Sequence, residues 1–186
     1  MKQIKLALIA ATSLLSLAVN AQIVGVNAFL KGDHVEVGLN KCGVYGTTAA
    51  PPAGYHPNVF GLGFVADSDL DGWDVGSPYD YCGDYFVPGT PEEGWQVQIG
   101  GSVYTNASNG CSPSEIPGSI TTYEFSGGMY TAIWEGTIAS EDISITQTTT
   151  LLIDKTYFVT RVLICNDGPT DLVDVYYNRN VDPDNE

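Results

Sequence analysis

From Trp95 onward the chain repeats one device: two runs of alternating residues joined by a pair of turn formers. WQVQI and SVYTN flank Gly100-Gly101. ITTYEF and MYTAIWEG flank a turn at Gly127-Gly128. ISITQTTTLLI and TYFVTRVLIC flank Asp154-Lys155. Successive side chains of a strand point to opposite faces, so such runs give one apolar face and one polar face. Paired glycines tolerate the positive φ angles of a type I′ turn, so both Gly100 and Gly101 are expected there. This grammar predicts an antiparallel all-β sandwich assembled from hairpins. No segment after residue 21 keeps a 3.6-residue apolar period, so almost no helix is expected. In the run from Tyr157 to Ile164 both faces are partly apolar, which predicts a central strand between packed layers. TQTTT, Thr146 to Thr150, reads as one face of an ordinary strand.

The first half is looser. IVGVNAFL and HVEVGLN form a further hairpin pattern around KGD, and VFGLGFVA is an isolated apolar stretch. From Cys42 to Pro91 the chain is rich in Gly, Pro, Asp and Tyr. A long loop of this kind in a compact domain is usually functional or tied by a metal.

Residues 1–21 read as a signal peptide. Lys2 and Lys5 precede the apolar run Leu6 to Val19, and VNA places small residues before a cut after Ala21. The run is short for a membrane span, and no second one follows. Residues 22–186 are then one β-sandwich domain. NRNVDPDNE stops in polar, turn-like sequence just after a strand, so the domain is expected to be truncated at its C-terminal end. Both the secreted state and the cell surface fit this reading.

The formal net charge of the whole chain is −15, and no Lys or Arg occurs between Lys41 and Lys155. Such a surface repels phosphate backbones and anionic lipid, which argues against nucleic-acid partners and against membrane insertion once the signal is cleaved. The expected partner is an extracellular protein or a glycan. Four cysteines, Cys42, Cys82, Cys111 and Cys165, in an exported chain favour disulfides. None forms a C-x-x-C pair. Three pairings are open, and Cys42–Cys82 with Cys111–Cys165 is the one expected.

DSDLDGWD sets four carboxylates, Asp67, Asp69, Asp71 and Asp74, within eight residues without a basic neighbour. The first three alternate and Gly72 follows, so a tight loop can aim them at one point. Calcium takes six to eight oxygens, carboxylates and carbonyls among them. The pattern resembles the first half of EF-hand, dockerin and integrin-propeller loops. It departs from them at Pro78, where an EF-hand has glutamate, and at Asp74, one place early for the propeller type. Calcium bound in an irregular loop is one reading, and a solvated acidic turn is the other. Asp182 and Asp184 form a weaker second candidate beside Asp-Pro and Asp-Asn turn formers.

Trp73, Tyr79, Tyr81 and Trp95 crowd the same region. Rings beside carboxylates can stack on sugars, which makes a carbohydrate-binding module the alternative, unless these rings form the core under the loop. A glycoside hydrolase would need two carboxylates across a cleft, which no spacing rule reveals. His34 and His56 lie in no Ser-His-Asp or zinc pattern. No catalytic residue is assigned.

Three stretches, KGDHVEVGLNKCGVYGT, the segment from PPAGYHPNVFGLGFVADSDLDGWDVGSP to GDYFVPGTPEEGW, and YYNRNVDPDNE, resemble the N-terminal region of large secreted surface proteins of Bacteroidota. Those proteins often carry adhesin-like modules and a type IX sorting domain. The resemblance implies a non-catalytic surface module and no known activity.

Overall fold

The computed structural model describes residues 22–47, 49–56, 61–67, 70, 73, 84, 86, 93–107 and 111–181. The fold is all-β and antiparallel. The first sheet has the order β1-β2-β3-β4, with β1 Gln22–Val24, β2 Asn27–Lys31, β3 Val35–Leu39 and β4 Phe64–Ala66. A second, long sheet has the order β10-β9-β8-β7, from β7 Gly118–Ser126, β8 Met129–Ile138, β9 Ile143–Leu152 and β10 Val159–Asn166. The third sheet is β11-β5-β6, from β5 Glu93–Ile99, β6 Ser102–Ala107 and β11 Tyr176–Val181. Among the described residues the one helical element is a single 3-10 turn, Ala139–Glu141.

The long sheet forms one layer, and the two short sheets share the other. This division follows from where the apolar residues fall on β8 and β9. Tyr130, Ala132 and Leu151 lie at one end of the pair and pack on Ala28, Leu30, Val35, Val37 and Leu39 of the first sheet. Trp134, Ile138, Ile143 and Ile145 lie at the other end and pack on Trp95, Val97 and Ile99 of the third sheet. The alternation is strict on β9: Ile143, Ile145, Gln147, Thr149 and Leu151 are buried, while Ser144, Thr146, Thr148 and Thr150 are half-buried on the opposite face. The threonine run is therefore one outward row with Thr149 turned inward.

Trp95 and Trp134 meet edge to face, with ring centres 5.3 Å apart. Their indole N–H groups donate to the carbonyls of Cys42 (3.1 Å) and Lys41 (2.8 Å). Burying an indole without such a partner would leave its donor unsatisfied. The Trp134 ring also lies over Gly118 and Gly136, register partners on β7 and β8. A Cβ at either glycine would fall 2.2 Å from that ring.

The hairpins at Gly100-Gly101 and Gly127-Gly128 stand at the expected places, but the third does not turn at Asp154-Lys155 alone: β9 ends at Leu152 and β10 begins at Val159, so residues 153–158 form a longer connection. Gly127 (φ 58) and Gly128 (φ 79) are both left-handed, as a type I′ turn requires. At Gly100-Gly101 only Gly100 (φ 56) is left-handed, the signature of a type II′ turn, so the expectation of two positive φ angles is corrected there.

Two further expectations are corrected. Cys42 and Cys111 form a disulfide, with Cα atoms 5.9 Å apart, so neither Cys42–Cys82 nor Cys111–Cys165 is formed. Both bonded cysteines sit in the core beside the two tryptophans. Cys165 is a free thiol paired in register with Ser144, on the face of the long sheet opposite that core. Cys82 lies outside the described residues. The run from Tyr157 to Ile164 is also not central, because β10 is the edge of its sheet. Its two apolar faces do not report two packed layers: Val159 and Leu163 are 51% and 45% exposed.

Candidate functional site

The acidic loop leaves the first sheet at the end of β4. Asp67 is there, 3% exposed. Its amide donates to the His34 carbonyl (2.8 Å), and its Oδ2 lies 3.4 Å from His34 Nδ1. Leu70 and Trp73 both adopt left-handed φ angles, 57° and 64°. Such angles are unfavourable for side chains larger than glycine, so the chain turns sharply there. Asp69, Asp71 and Asp74 lie outside the described residues, as do Asp182 and Asp184. Among the described residues no three His, Cys, Asp or Glu side chains gather into a metal-binding group.

Trp73 fixes the loop to the outer face of β2 and β3. Its indole N–H donates to the Asp33 carbonyl (2.8 Å), and its ring stacks on His56 at 4.0 Å. His56 in turn meets Glu36 twice: its amide donates at 2.7 Å, and its Nδ1 lies 3.0 Å from the carboxylate. Lys31 completes the chain with a 2.5 Å contact to the same carboxylate. Glu36 is fully buried, and this ring of donors meets the requirement that a buried charge be paired. Asp84 plays a similar part farther along. It accepts from the amides of Gly63 (2.6 Å), Phe64 (2.9 Å) and Phe86 (3.0 Å), and so ties its own segment to the start of β4.

The aromatic candidates separate. Trp95 is 1% exposed in the core and has no face to offer a sugar. Trp73 is half-buried with one face covered by His56. Tyr79 and Tyr81 lie outside the described residues.

A second polar centre occupies the seam where the two short sheets meet the long one. Arg179 of β11 donates through Nε to Glu93 of β5 (2.6 Å), through Nη1 to Gln147 of β9 (2.8 Å), and through Nη2 to the Gly43 carbonyl (3.2 Å). Its guanidinium also lies 4.1 Å from the centre of the Tyr45 ring. The Tyr45 amide donates to Glu93 (2.7 Å), and its hydroxyl meets Thr149 and Thr160. Burial pushes the Glu93 carboxyl above the ordinary carboxylate range, and Arg179 and the Tyr45 amide pull it back only in part. Burial alone would lower the Arg179 pKa, but the Glu93 charge, Tyr45, Tyr177 and the hydrogen bond to Glu93 together outweigh it and raise the guanidinium further. Beside this pair opens a cavity of about 290 Å³ with mostly apolar walls, among them Tyr45, Phe86, Phe158, Thr160 and Val181.

Neither Glu93 nor Arg179 was a candidate from the sequence. The signal was present in YYNRN: Tyr177 and Arg179 share a face, and a lone arginine on an apolar face requires a buried carboxylate opposite it. Glu36 carried no such signal: Val35 and Val37 point to the other face, and its same-face neighbours are His34 and Gly38.

Among the described residues no helix is long and apolar enough to cross a membrane. No protein-family model, no curated protein and no solved structure matches this chain.

Proposed function

We propose that this chain is an exported, non-catalytic β-sandwich module of a cell-surface or adhesin-like protein, with an acidic loop stiffened by calcium. The observation that carries this is the use made of the buried carboxylates. Glu36, Asp67, Asp84 and Glu93 are each at most 3% exposed, and each binds neighbouring elements together through His, Lys, Arg or backbone N–H groups. A catalytic pair would face a cleft across a gap sized for substrate. The Cys42–Cys111 bond supports an oxidising compartment outside the cytosol. Calcium is supported by the placement of Asp67 at the root of a sharply turned loop, with Asp69, Asp71 and Asp74 following.

The thermal melt with excess calcium and with chelator tests this. A ligand that binds only the folded state at a hundredfold excess over Kd stabilises it by about 2.7 kcal/mol, a shift of several degrees in a domain of this size. The shift is expected to vanish in the Asp69→Ala/Asp71→Ala double variant. An equal melt with and without calcium removes the metal. Hydrolysis of any polysaccharide by the purified protein removes the non-catalytic assignment.

Glycan binding is the alternative, and the half-buried ring of Trp73 beside the acidic loop is the observation left to favour it. Polysaccharide binding lost in Trp73→Ala would establish that reading in place of the first.

A further inference from the structure

Among the described residues, one side of the sandwich is bridged at one end by the β10–β11 connection, where Leu172 packs on the core. The long sheet ends on β10 and the third sheet ends on β11, with no strand beside the outer edge of either among the described residues. The seam cavity is lined by Thr160 at the start of β10 and by Asn180 and Val181 at the end of β11, so the two open edges lie on the same side. Along that side the core is incompletely covered. Val162 and Ile164 of β10 face the core and are only half-buried, whereas Ile145, Gln147 and Thr149 on the adjacent strand are each 1% exposed.

Edge strands usually carry protection against further pairing: a bulge, a lysine or a proline. The other edge of this sheet has it, since β7 is bulged between Ile120 and Thr122. β10 has none. Its eight residues, VTRVLICN, pair with β9 in unbroken register, with Arg161 as their one charge. In such a strand every second residue turns its N–H and C=O away from the sheet, ready to pair. Exposed apolar side chains flank the opening: Tyr157 (57%), Val159 (51%), Leu163 (45%) and Tyr176 (61%).

The charge around the opening selects the occupant. The connection from β10 to β11 carries three exposed acids, Asp167, Asp171 and Asp174. The chain as a whole has a formal net charge of −15, which disfavours a second copy and favours a basic partner.

We propose that the open β10 edge and the seam cavity form one docking site for an extended strand of another polypeptide, with apolar residues at alternate positions and lysine or arginine facing Asp167, Asp171 and Asp174. One bulky apolar side chain of that strand fills the cavity beside Phe158 and Val181. Backbone pairing supplies affinity and the cavity supplies selectivity, as in other strand-addition complexes. The proposal rests on the surface-module reading and deepens it by naming the class of partner. The calcium melt interrogates the acidic loop and the following experiment the β10 edge, so each can fail alone.

A phage library of random nine-residue peptides is panned against the purified full-length chain, and the strongest clone is made as a labelled synthetic peptide. The enriched peptides should alternate apolar residues, share one bulky anchor and carry lysine or arginine. Asn180→Trp, at an exposed position on the cavity rim, should weaken binding about thirtyfold by occupying the anchor's place. Val159→Lys/Leu163→Lys, also at exposed positions, should weaken it about tenfold by setting like charges opposite the incoming strand. Unchanged circular dichroism and melting would establish that both variants fold. Failure to enrich any peptide, enrichment without alternation, or full affinity in both variants would overturn the proposal. So would a concentration-dependent dimer in light scattering that the lysine variant abolishes, since the occupant would then be a second copy.

Discussion

Arg179 shows how much one residue can organise. From β11 it reaches β5, β9 and the turn after β3, and all three acceptors lie within 3.2 Å of its guanidinium nitrogens. Breaking a buried ion pair by removing one partner costs about 3–5 kcal/mol, because the other charge is left uncompensated. Arg179→Met and Glu93→Gln are each expected to lose stability of that order in urea unfolding. The double variant should lose clearly less than the sum, and strict additivity would mean that the two charges do not depend on each other. The buried tyrosines give a second expectation. Burial raises the pKa of Tyr55, Tyr130 and Tyr177 above the ordinary 10.0. A folded-state pKa above the unfolded value means stability that is intact below about pH 10 and lost as the pH rises through that range, because the unfolded chain releases its phenol protons first. In an alkaline titration, phenolate absorbance at 295 nm from these three rings should appear together with the loss of circular dichroism. Phenolate from all tyrosines well before unfolding would contradict the assigned burial. Nothing in residue spacing pairs Arg179 with Glu93, 86 positions away; only the folded register of β11 on β5 does.

Among the elements, the hairpins were the legible part. β5–β6 and β7–β8 turn at the glycine pairs, and β9–β10 pairs across a longer connection that contains Asp154-Lys155, because side-chain alternation and turn chemistry are local properties. The order of strands in the sheets was not legible, because it depends on which apolar faces meet. That is why β10, apolar on both faces, proved to be an edge. The disulfide belongs to this scale as well, for it joins the turn after β3 to the segment after β6 across a sequence separation of 69. Loop-closure entropy for a ring of that size amounts to about 4 kcal/mol. Cys42→Ser/Cys111→Ser should lower the melting temperature by roughly 10 °C. Mass mapping of a nonreducing digest should recover Cys42 and Cys111 in one linked pair, and a Cys42–Cys82 peptide would refute the pairing.

At the scale of the whole molecule, the division of labour follows from length. β8 and β9 have ten residues each, long enough for two short sheets to sit side by side on one face. The seam between those sheets is the consequence, and it gathers Tyr45, Glu93, Arg179 and the cavity from parts of the chain far apart. The candidate loop was legible as a cluster of carboxylates, and its root at Asp67 stands where the chain leaves β4. Its clamp was not: Trp73 reaches His56, and His56 reaches Glu36, through contacts between elements rather than neighbours in sequence. The antiparallel all-β class, the glycine-pair hairpins and the acidic balance follow from the residues in order, because periodicity, turn preference and charge are local or additive. The tertiary structure alone decided which cysteines bond, which tryptophan is buried, which strand is left at an edge and which carboxylate meets the one buried arginine. Those outcomes depend on how faces pack across the fold, and packing joins residues that no local pattern connects.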